Sequence, residues 1–78
     1  MNLMTNCIEL FKTDVLYEYR ANEILQMLTD KYPAYKMNFD LHDRDNMLRV
    51  ESTIEGIDID GIIMLLKGSG HYAEVLED

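Results

Sequence analysis

The chain has little with which to staple itself together. Its 78 residues include a single cysteine, Cys7, so no disulfide can form within the chain. One cysteine and two histidines also fall short of a four-ligand structural zinc site. Tryptophan is absent and the only proline is Pro33. Basic residues are scarce: 7 Lys and Arg stand against 15 Asp and Glu, for a formal net charge of −8. That balance repels a nucleic-acid backbone and an anionic membrane surface. The few cations (Lys12, Arg20, Lys31, Lys36, Arg44, Arg49 and Lys67) are scattered and form no patch. No apolar run reaches the ~18 residues of a membrane span. The stretch from Met1 to Cys7 has no basic start and Glu9 interrupts the apolar residues after it, so a signal peptide is not expected. The expected compartment is the cytoplasm, where a lone thiol stays reduced.

The apolar share is 47%, enough for one globular core and too high for a disordered chain. With neither disulfide nor structural zinc, stability must come from apolar packing, with dimerisation as a further source. Residues 1–6 read as a tail and 7–78 as a single domain. Residues 7–12 read as a strand with Ile8 and Leu10 facing the core; the parity of Phe11 stays open. Thr13 and Asp14 carry side-chain oxygens suited to a helix start. Residues 16–32 follow as a helix with an apolar stripe of Tyr17, Ala21, Ile24, Leu25 and Leu28. Pro33 closes it.

Residues 35–41 alternate Tyr35, Met37, Phe39 and Leu41 with Lys36, Asn38 and Asp40, the period of a half-buried strand. A polar turn over residues 42–46 leads into a return strand, 47–52, with Leu48 and Val50 inward. Asp58 can cap a second helix whose stripe is Ile59, Ile62, Ile63 and Leu66. Gly61 inside that helix costs up to about 1 kcal/mol relative to Ala, which suggests close approach of a neighbouring backbone. Gly68 and Gly70 stop the helix, and residues 72–76 form a last strand. Strand, helix, strand, strand, helix, strand is the order of a ferredoxin-like α+β sandwich: a four-stranded antiparallel sheet with both helices on one face.

This order, with its lengths, resembles the heavy-metal-associated domain. The likeness covers nearly the whole chain from Ile8. It is carried most by Gly70-His71-Tyr72-Ala73-Glu74-Val75, which looks like the family's frequent Gly-Tyr-Asp-Ala-Glu-Val ending, and by the hairpin from Phe39 to Val50. In that family the chemistry sits in a Met-x-Cys-x-x-Cys loop between the first strand and first helix, where soft thiolates hold Cu(I) or a related ion. Aligned through Ile24, Val15 takes the Met position, Tyr17 the first Cys and Arg20 the second. Both ligands are gone, and no Cys follows Cys7. The resemblance therefore implies the fold more than metal transfer.

The remaining metal candidates are weak. Cys7 opens a strand, with no His or helix start beside it to activate it. His71 aligns with the loop beside the family's metal site. His42 lies among Asp43 and Asp45 in a turn too short for an ion loop. Met1 and Met4 form the one Met-x-x-Met pair, and the other methionines fit core positions. No nucleophile, base and orienting group can be assembled, so catalysis and bound cofactors are not expected. Three functions follow as expectations. The first is a non-catalytic domain with a degenerate metal loop, acting through protein contacts or self-association at Val15, Tyr17, Tyr19, Arg20 and His71. The second is copper or zinc binding through Cys7 or His71 contributed by two chains. The third is a small-anion sensor at Lys12, Thr13 and Arg20.

Overall fold

The computed structural model describes residues 7–42, 44–54 and 56–76. The expected tail, the Met1–Met4 pair, Asp43, Glu55 and the acidic pair Glu77 and Asp78 lie outside the described residues. The elements run β1 (Cys7–Thr13), α1 (Glu18–Lys31), β2 (Lys36–Asp40), β3 (Met47–Ser52), α2 (Ile59–Gly68) and β4 (Ala73–Val75). The sheet is four-stranded and antiparallel, in the order β2-β3-β1-β4. This is the ferredoxin-like arrangement, with β1 and β3 central and both helices on one face.

Residues directly opposite in an antiparallel pair share a face. Leu48 and Val50 are fully buried, and β1 places Phe11 opposite Leu48 and Glu9 opposite Val50. The core-facing set of β1 is therefore Cys7, Glu9, Phe11 and Thr13. Ile8 and Leu10, expected inward, lie on the outer face; Ile8 is 46% exposed. The physical reason is the register: β3 is fixed by Leu48 and Val50, and β1 must match it. Phe39 and Met37 complete the layer opposite Leu48 and Val50.

Both helices insert their stripes into this layer. Ala21, Ile24 and Leu28 of α1 are buried, as are Ile62 and Leu66 of α2. Leu25, Ile59 and Ile63 pack at the margin. Tyr17, expected to begin the first stripe, is 61% exposed, because α1 starts only at Glu18.

The helices are fastened at one end by tyrosines. Tyr35, buried, donates its hydroxyl to the Gly56 carbonyl at 3.0 Å and accepts the Asp58 N–H at 2.9 Å. Tyr32 stacks on Tyr35, with centroids 4.8 Å apart, and donates to Asp58 Oδ2 at 2.8 Å. Asp58 caps α2 as expected, accepting from the Gly61 N–H at 3.1 Å. A Cβ on Gly61 would run into the Tyr32 hydroxyl and the Asp58 carboxylate. The glycine thus makes room for side chains, not for a neighbouring backbone.

α2 ends in a Schellman motif. The Gly70 N–H returns to the Lys67 carbonyl and the His71 N–H to the Leu66 carbonyl, with Gly70 at φ 86°. No helix is long and apolar enough to cross a membrane among the described residues.

Candidate functional site

Asp14 to Tyr17 connect β1 to α1. Thr13 is buried at the end of β1; its hydroxyl donates to the Asn46 carbonyl at 2.6 Å and accepts the Val15 N–H at 3.2 Å. Val15 is thereby turned inward and its side chain is fully buried. It is a core residue and contributes nothing to a surface. With Val15 inside, Leu16 and Tyr17 stand outside. Tyr17 is the N-cap residue of α1 but makes no side-chain cap bond. Thr13 and Asp14, expected to cap this helix, are engaged elsewhere. Tyr17 stacks on Tyr19, centroids 5.9 Å apart and planes 19° from parallel. Leu16, Tyr17 and Tyr19 are all more than 60% exposed.

Arg20, in the first turn of α1, reaches across to the loop that follows α2. Its Nη2 donates to the Ser69 carbonyl, its Nε to His71 Nε2 at 3.0 Å, and its Nη1 to Glu23 Oε1 at 3.0 Å. An arginine Nε can only donate. His71 Nε2 must therefore accept, which leaves the ring proton on Nδ1. That nitrogen lies 3.0 Å from Asp14 Oδ1, the acceptor it needs. The geometry thus assigns His71 as the neutral Nδ1–H tautomer. Asp14 Oδ1 also accepts the Tyr72 N–H at 2.9 Å. Burial works against charge on Asp14, but the Tyr72 amide and the His71 ring outweigh it and hold its carboxyl below the usual range.

The result is a clasp of Asp14, His71 and Arg20 that ties three segments together: the β1–α1 loop, the first turn of α1 and the α2–β4 loop. A shallow groove opens beside it, lined by Asp14, Ile63, Lys67, His71, Tyr72 and Ala73.

The arrangement limits what this end can do chemically. Both imidazole nitrogens of His71 are occupied, so a metal ion would have to displace Arg20 or Asp14. Cys7 cannot help within one chain. It pairs with Ser52 at the far end of β1, while Thr13, at the near end, pairs with Ala73. Six residues of strand separate the two ends, roughly 20 Å. Among the described residues no group of three His, Cys, Asp or Glu could hold a metal ion. Nor does the expected anion pocket assemble. Lys12 lies on the outer face opposite Glu74, and Arg20 directs Nε, Nη1 and Nη2 to protein acceptors.

Of the expected site residues, Arg20 and His71 come together, Tyr17 and Tyr19 stand exposed, and Val15 and Cys7 lie apart. Asp14 is the member that sequence reasoning missed. A signal for it existed: β1 and β4 are neighbours in this fold, so the residue after β1 meets the residues before β4. No family model, no curated protein and no solved structure matches the chain.

Proposed function

We propose that this chain is a non-catalytic domain of the heavy-metal-associated type whose metal loop is replaced by a hydrogen-bonded clasp, and that it acts through protein contacts. One observation carries the proposal. The cation and the imidazole nearest the place of the family's thiolates are spent on internal bonds, while Leu16, Tyr17 and Tyr19 stand exposed beside them. Tyr and Arg are enriched where proteins meet, and a stacked aromatic pair offers large contact area at low entropic cost. The clasp holds the backbone beneath that pair, so the aromatics are presented on a fixed base.

The test is a Cu(I) and Zn²⁺ titration of the reduced protein against a chromogenic chelator. The wild type is expected to take up no more of either metal than the double variant Cys7→Ser, His71→Ala. Tight stoichiometric uptake that the double variant loses would overturn the proposal in favour of metal trafficking.

A further inference from the structure

The sheet has two edges and they are built differently. β4 offers three residues, Ala73–Val75, too few to template another strand. β2 offers five, Lys36–Asp40, and among the described residues pairs with β3 alone. In any ladder, alternate residues direct their N–H and C=O groups away from the paired neighbour, so β2 presents unpaired backbone along its outer side. Natural edges of this kind are blunted by shortness, by charged side chains (lysine above all), by proline, by a bulge or by a cover. The charges of β2, Lys36 and Asp40, are of opposite sign and so complement a second copy read antiparallel. β2 contains no proline, and its register with β3 runs without interruption from Lys36 to Asp40.

A groove runs along this edge between β2 and α1. Asn38 and Asp40 line it together with Phe39 and Leu41, and Leu25 closes it from the helix. Alternate residues of a strand point to opposite faces. Lining by both parities means that the groove opens onto the strand's edge rather than onto one face of the sheet.

The sequence of the edge specifies what fits there. Read antiparallel against itself about Asn38, Lys-Met-Asn-Phe-Asp sets Lys36 opposite Asp40, Met37 opposite Phe39 and Asn38 opposite Asn38. Each pair recurs by the twofold axis, as an isologous interface requires. Opposite charges across a strand pair stabilise it and like charges destabilise it. Slipping by two residues in either direction loses both ion pairs, and slipping by four sets Lys36 against Lys36 or Asp40 against Asp40. Slips by odd numbers would bring core-facing residues opposite outward-facing ones.

We infer that β2 is a self-association edge: two copies pair their β2 strands antiparallel about Asn38, joining two four-stranded sheets into one continuous sheet. The pairing covers the open backbone of β2 and sets the half-buried Met37 and Phe39 of each copy against those of the other. This inference goes beyond the contact reading above, which concerns Leu16, Tyr17 and Tyr19, and the two fail separately. Tight Cu(I) binding sinks the contact reading; the strand pairing is judged by mass.

Sedimentation equilibrium of the full chain at low salt is the test, with loading up to about 1 mM, where an interface this small associates. The wild type is expected to form dimers. Lys36→Asp and Asp40→Lys are each expected to weaken dimerisation by about tenfold or more. An equimolar mixture of the two variants should form heterodimers. The carboxylate introduced in one chain then faces the ammonium introduced in the other, and the native Asp40 of the first faces the native Lys36 of the second. Both ion pairs are thereby restored, one of them with its signs exchanged.

Asp40 also accepts the His42 N–H, so circular dichroism must show that Asp40→Lys is folded. If it is not, Lys36→Asp paired with Asp40→Asn keeps the test: the first chain alone should dissociate and the second should lose its salt dependence. A wild type that stays monomeric across the range overturns the inference. So does a dimer indifferent to both charge changes.

Discussion

The two ends of the helical layer do the same job with different chemistry. At one end Tyr32, Tyr35 and Asp58 tie the close of α1 to the start of α2. At the other, Arg20, His71 and Asp14 tie the start of α1 to the close of α2. The tyrosine end is built around a buried ring and a helix cap, from groups that keep one protonation state over a wide pH range. Burial and the hydrogen bond to Asp58 push the Tyr32 hydroxyl up to about 12, and the same bond with the Gly61 amide holds the Asp58 carboxyl low. The clasp end depends on an imidazole that must stay neutral to accept from Arg20, and the exposed Leu16, Tyr17 and Tyr19 immediately precede Arg20 in the chain. On the proposed reading, one end is a fastening and the other a presenting base.

The largest effect should come from breaking the fastening. Tyr35→Phe removes a buried hydroxyl that serves both the Gly56 carbonyl and the Asp58 amide. The expected loss is about 1–3 kcal/mol in urea unfolding. Breaking the clasp should cost less. Arg20→Ala, at a partly exposed site, is expected to cost about 1 kcal/mol. Its signature is local: amide exchange should accelerate from Ser69 to Tyr72 and stay unchanged around Gly56 to Gly61. A loss shared equally by both ends would erase the distinction between them.

The smallest effect is the most selective. Tyr32 has its folded value raised from 10.0 to about 12, so its contribution is full below pH 10 and is lost as pH rises towards 12. Tyr32→Phe should flatten the fall in melting temperature over that window. The two carboxylates do not discriminate between the ends in this way. Asp14 and Asp58 are both lowered from 3.8, one at each end, so each contributes above that value and loses its contribution as pH falls through the folded one.

Much of the fold was legible because its signals are local. The alternation through Met37 and Phe39, the Asp58 cap and the glycine stop after α2 each depend on neighbours within a few residues. The parity of β1 was not legible. Ile8 and Leu10 are the more apolar alternate pair, and only the register with β3, some 40 residues on, decides for Phe11 and Thr13. The clasp was half legible. Arg20 and His71 are 51 residues apart, and only the order of elements, which sets the β1–α1 loop near the α2–β4 loop, brings them together. Asp14 reads locally as a cap because Asp so often serves that role. Its true acceptor role needs β4 beside β1, a fact of topology and not of composition. Gly61 reads as backbone crowding because nothing in the sequence pairs it with Tyr32.

Nitrogen-15 NMR of the His71 ring at neutral pH tests the clasp most directly. Expected are the shifts of a neutral ring protonated at Nδ1, unchanged by an equivalent of Zn²⁺ or of Cu(I) under reducing conditions. A ring protonated at Nε2, or a ring nitrogen that shifts on addition of metal, would contradict the clasp.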